Sequence, residues 1–150
     1  MMSNSLEDLD KAFETMIEKF PEKRRELVEN AGSKMHQKVL RNIDTDTKED
    51  TGRLREGCYL VIGSKGGYAA VRNDHRKAPH AHLVEFGHRL IKGAKTKEGK
   101  NGQPVPIKGS GKVIGWVNGK HMYRNALTEM EDELVQDAER MIDSLAGEIF

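Results

Sequence analysis

Apolar residues recur at three- and four-residue steps over 6–18, placing Leu6, Leu9, Phe13, Met16 and Ile17 on one side of a helix. Ser5 can cap its start, with Asp8 completing a looser version of the capping box. Pro21 follows, and either opens a second helix or bends one long helix. Leu27, Val28, Ala31, Met35, Val39 and Leu40 continue the stripe, which is expected to end near Asn42, before the polar turn DTDTKEDTG.

The period then changes. RLREGCYLVIGS reads as a strand with Cys58, Leu60 and Ile62 on one face and Tyr59 and Val61 on the other. KGG marks a turn, and YAAVRN reads as the returning strand of a hairpin. HAHLVEF reads as a short helix, with Pro79 in its first turn and Gly87 stopping it. Residues 88–112, rich in Gly, Pro and Lys, are expected to form a long, flexible basic loop or an extended arm. VIGWV is a short strand, and Asn118-Gly119 a turn. A last helix from about Lys120 to Leu145 has a stripe of Met122, Ala126, Met130, Leu134, Ala138, Met141, Ile142 and Leu145. This order predicts one α+β domain over 1–150, with N-terminal helices and a long C-terminal helix packed on a small antiparallel sheet.

The length of 150 residues suffices for a core without disulfide staples. The single cysteine, Cys58, lies in an apolar run and reads as a small core hydrophobe suited to a reducing compartment. The first 20 residues are acidic and amphipathic, unlike a signal peptide, and no apolar run reaches membrane-spanning length. A soluble, intracellular protein without membrane contact is expected. The net charge of +1 hides segregation: about −3 over 1–50, +10 over 51–121 and −6 over 122–150. Such blocks attract nucleic acid or a second copy of the chain.

Candidate chemistry concentrates in APHAHLVEFGH, residues 78–88. His80 and His82 share a face only in extended backbone, and His88 lies beyond Gly87. No recurrent cysteines or HExxH helix accompany them, so no metal ion is expected. Glu85 sits between Val84 and Phe86 and needs a cation or backbone donors if buried. Arg53, Arg55 and Arg124 are the partners offered to it. A catalytic acid needs a second group and a pocket, which the sequence does not supply; no catalytic residue or cofactor is expected. Lys92, Lys95, Lys97, Lys100, Lys108 and Lys112 can neutralise phosphates, but their segment has no aromatic residue for base stacking. Trp116 is expected to pack in the core against the last helix, with an interface position as the alternative.

Three ordered stretches, TGRLREG at 51–57, HLVEFGH at 82–88 and HMYRNALTEME at 121–131, give the chain a family likeness. It resembles the small tail-completion, or head–tail joining, proteins of long-tailed bacteriophages and prophages. Thr51, Gly52, Leu54 and Arg55 match the lead into the family's first strand. Val84, Glu85, Phe86 and Gly87 match its V-E-F-G motif, and Arg124, Ala126 and Leu127 its closing motif. The chain departs from the pattern with His88 where a threonine is common, and with His121 and Asn125 where prolines are frequent. The resemblance implies a noncatalytic structural protein of the virion tail or neck, made in the cytoplasm of the bacterial host. It implies a homo-oligomeric ring, hexameric in the particle, at the head-proximal end of the tail, working with other tail and head-connector proteins. DNA contact would be indirect or weak. The alternatives are a nonspecific DNA-binding protein and a metal-dependent hydrolase.

Overall fold

A computed structural model describes residues 6–48 and 51–149; Ser5 and part of the polar turn lie outside this range. Of the two outcomes at Pro21, the chain takes the continuous helix, α1, spanning Leu6–Asp46. Pro21 is exposed, on the side where the carbonyl left without a partner can meet water. The helix also runs past Asn42. Thr45 and Thr47 hydroxyls donate back to the Arg41 and Ile43 carbonyls, at 3.0 and 2.5 Å, and the helix continues to Asp46.

The last helix, α4, spans Met122–Ile149 and lies antiparallel to α1. Val39 and Ile43 of α1 and Met122 and Leu145 of α4 are fully buried. Each contributes about 1.5–3 kcal/mol of transfer free energy. The buried Asn42 amide donates to the Met122 carbonyl at 3.0 Å. Along the rim, Lys19 meets Glu148 at 3.1 Å, Lys34 meets Glu133 at 2.9 Å and Asp137 at 2.7 Å, and Arg41 meets Glu129 at 2.9 Å. Residue numbers fall on α4 as they rise on α1, so acidic α4 is matched to basic positions of α1.

The segment expected as the start of the first strand is instead a helical turn, α2, at Arg53–Gly57. Gly52 precedes it at φ 70°, and the Glu56 amide donates to the Gly52 carbonyl at 3.0 Å. The strand begins only at Cys58, where the true alternation begins. Strands β1 (Cys58–Ile62) and β2 (Ala69–Asn73) pair antiparallel, from Cys58 opposite Asn73 to Ile62 opposite Ala69. This hairpin rests on α1 at Gly32. A Cβ there would lie 2.7 Å from Ala69 Cβ and 3.0 Å from Leu60 Cδ1, so only glycine allows this approach.

The chain gathers into two compact units: the elements up to Ala78 together with α4, and Pro79–His121. The second contains α3 (Ala81–Phe86), β3 (Gly87–Lys92), β4 (Thr96–Glu98), β5 (Pro104–Pro106) and β6 (Lys112–Asn118). Strands β3 and β6 pair antiparallel, as do β4 and β5. Residues 88–112 are therefore not an irregular loop. Leu90 and Ile91 fall in β3 and Val105 in β5, strands too short for a composition average to show. The prolines are accommodated because β5 is an edge strand. Ser110 ties the base of the small hairpin: its hydroxyl donates to the Ile107 carbonyl at 2.7 Å and accepts from the Lys95 amide at 2.9 Å. The fold is α+β, with its strands in three separate antiparallel pairs.

Candidate functional site

The V-E-F-G stretch forms a backbone junction inside the second unit. The last turn of α3 leaves carbonyls without intrahelical partners. The Lys120 amide donates to the Val84 carbonyl at 2.7 Å, and the His121 amide to the Glu85 carbonyl at 3.1 Å. Gly87 then turns the chain into β3 at φ 82°; a Cβ there would lie 2.4 Å from the Val117 carbonyl oxygen. His121, at φ 51°, breaks the backbone before α4 and explains why that helix starts at Met122 rather than Lys120.

The expected site residues divide by burial. Leu54 and Ala126 are buried, and Glu85 is only 6% exposed. Val84 is half-buried, and Thr51, Phe86, Arg124 and Leu127 are exposed. Arg55, one of the guanidiniums offered to Glu85, is paired with Asp44. Trp116 is not a core residue: it is 59% exposed and stands opposite Arg89 on the β3–β6 ribbon. A two-stranded ribbon cannot cover its own faces, which is why the ring remains in water. Leu90, Ile91, Val113, Ile114 and Val117 on the same ribbon are exposed as well. Lys92, Lys95, Lys97, Lys100, Lys108 and Lys112 are all exposed in the same unit.

Two features went unread in the sequence. The first is that Lys92 and Lys112 stand directly opposite one another in the ribbon. The second lies at the start of α1. There Leu6, Leu9, Phe13 and Ile17 of the apolar stripe are exposed. The readable signal was the row Asp10, Glu14 and Glu18 beside that stripe, at four-residue spacing.

His80 precedes α3, His82 lies within it and is exposed, and His88 lies on β3. Among the described residues, no three His, Cys, Asp or Glu side chains gather as a metal site. A groove of about 410 Å³ between α1 and α4 is lined by Lys34, Asp137, Arg140, Leu27 and Met141, among others. Its charges face each other: Asp137 accepts from Lys34 and, at 3.1 Å, from Arg140. The hydrogen bond from Lys34 holds the Asp137 and Glu133 carboxyls below their ordinary range, and those two acids raise Lys34. Lys19 lowers Glu148 in the same way. Burial pushes the Cys58 thiol up, partly offset by a hydrogen bond with Tyr123, so the thiol is a poor nucleophile at neutral pH. Among the described residues, no helix is long and apolar enough to cross a membrane. Comparison with protein-family models, curated proteins and solved structures finds no match for this chain.

Proposed function

We propose that the chain is a structural assembly subunit of a phage tail, acting in tail completion and head–tail joining. The observation that carries this reading is the β3–β6 ribbon. Large apolar side chains, including Trp116, stand in water on a basic two-stranded ribbon that cannot bury them itself. Such a surface suits a protein interface, where aromatic anchors dominate the energetics. The resemblance supports the particular kind of assembly. Its three stretches fall at structural joints: TGRLREG at α2 leading into β1, VEFG at the close of α3, and YRNAL in the first turns of α4. In this reading the subunits form a ring, sixfold as the resemblance implies, at the head-proximal end of the tail, and meet tail and head-connector proteins there. The protein has no catalytic role and needs no cofactor.

Gene deletion and complementation in the source phage test this reading. Loss of the chain is expected to yield separate heads and tails, or tails with defective head ends, while DNA replication continues. Trp116→Ser is expected to fold but fail to complement. Infectious particles formed without the polypeptide would refute the assembly role. A second reading, nonspecific DNA binding, rests on the exposed lysines of the same unit. Tight, salt-sensitive binding of the purified chain to duplex DNA, with defective replication after deletion, would favour it instead.

A further inference from the structure

Among the described residues, the α1–α4 ion pairs named above end at Lys19–Glu148, and α4 is described to Ile149. Residues 6–18 of α1 thus have no described α4 residue opposite them. At 1.5 Å per residue they form a helical arm about 20 Å long. Its apolar stripe continues the line of the α1–α4 seam, yet Leu6 is 84% exposed, Ile17 72% and Phe13 51%. The arm carries five acids and one lysine. Asp10, Glu14 and Glu18 follow one another at four-residue spacing, where like charges repel along a helix face.

The β3–β6 ribbon is its chemical complement. The unit Pro79–His121 carries eight Lys and Arg against two Glu. Lys92 stands opposite Lys112, a cross-strand arrangement that is unfavourable without an anion nearby. On the same face of the ribbon, two residues along β3, Leu90 is 46% exposed, and Val117, opposite His88, is 40% exposed. Each surface therefore combines uncovered apolar side chains with like charges held close together. Each supplies what the other lacks.

We infer that the arm of one copy docks on the β3–β6 ribbon of a second copy. Phe13 and Ile17 cover Leu90 and Val117, and Glu14 and Glu18 meet the Lys92–Lys112 pair on the same face of the ribbon. This deepens the assembly reading and rests on it for its place in a particle. Two arms cannot serve each other, since both are acidic. A nucleic acid would neutralise the lysines but leave the apolar side chains of the ribbon and the whole acidic arm uncovered. Because the two patches differ, the contact is head-to-tail, the kind that closes into a ring or extends as a filament.

Charge exchange in the full-length chain tests the contact by sedimentation velocity at low ionic strength. One variant reverses the arm (Asp10→Lys, Glu14→Lys, Glu18→Lys) and another the ribbon (Lys92→Glu, Lys112→Glu). Each alone is expected to self-associate at least about tenfold more weakly than the unaltered chain. Mixed, they are expected to recover association to within about threefold of it, because opposite charges again face each other. Ile17→Ser, which alters no charge, is expected to weaken association with helicity by circular dichroism unchanged. An unaltered chain that remains monomeric, reversed variants that associate normally, or a mixture that fails to recover would overturn the inference. Sensitivity to ribbon reversal alone, seen only with duplex DNA present, would assign the ribbon to nucleic acid and also overturn it. The two levels separate in the phage. Arm-reversed chain found in intact tails would end the docking inference but leave the tail reading, whereas recovery in the mixture by a chain found in no particle would do the opposite.

Discussion

The α1–α4 pair and the β3–β6 ribbon divide their charges and apolar groups in opposite ways. In the helix pair, apolar side chains meet in a seam and opposite charges close over it: Val39, Ile43, Met122 and Leu145 inside, Lys34 with Asp137 and Arg41 with Glu129 at the rim. In the ribbon, Trp116 and Ile114 face water and Lys92 opposes Lys112. The first arrangement closes within one chain; the second leaves its apolar groups and like charges uncovered. On the proposed reading, stability and interaction are carried by different elements, and substitutions should separate them.

The largest effect belongs to Met122→Ala. It empties a fully buried position beneath the Asn42 hydrogen bond and is expected to cost about 2–5 kcal/mol in urea unfolding. Gly32→Ala follows. Its new methyl meets Ala69 at 2.7 Å, and overpacking of this kind costs about 1–3 kcal/mol, partly offset by the better helix propensity of alanine. A stabilised Gly32→Ala chain would mean that the hairpin does not press on α1 as described.

The ion pairs come next, and pH reads them. Asp137, Glu133 and Glu148 are held below their ordinary values, so what they contribute is present at neutral pH and is lost as pH falls through those depressed values. Lys34 is raised, so its contribution persists into the alkaline range and is lost as pH rises through its raised value. A urea midpoint followed against pH should fall at the acid end. Lys34→Met should flatten that fall, and an unchanged acid limb would show that the pairs contribute nothing measurable. The smallest effect is the sharpest contrast: Trp116→Ser should change monomer stability by no more than about 0.5 kcal/mol while abolishing complementation. A loss of several kcal/mol would place the ring in a core after all.

The helices were legible because their stripes are long: the steps from Leu6 to Leu40 and from Met122 to Leu145 admit no other period. Gly87 as the stop of α3 was legible too, since a left-handed position is needed there. Residues 88–112 were not, because three-residue strands such as Pro104–Pro106 carry too few side chains to show alternation. Arg53–Gly57 was absorbed into its neighbour for a related reason: five residues cannot display a helical period. Of the candidate site, the lysines and Trp116 were visible as residues. Their exposure was not, because it depends on whether a third layer covers the ribbon, and no local pattern encodes that.

The rim of the α1–α4 pair has a consequence for alignment. Lys34 reaches Glu133 and Asp137, and Lys38 reaches Glu129 and Glu133, acids four residues apart on α4. Sliding α4 by one turn, about 5.4 Å, would leave each of these lysines facing at least one acid. The ladder is therefore nearly indifferent to such a slip, like a toothed rack that engages at every tooth. The choice among settings falls to a feature that occurs once, the buried Asn42 amide on the Met122 carbonyl. A slipped pair would leave that amide without its partner in an apolar seam, a cost that a slip-tolerant rim does not offset. One polar residue thus acts as the detent that fixes the register of α1 against α4.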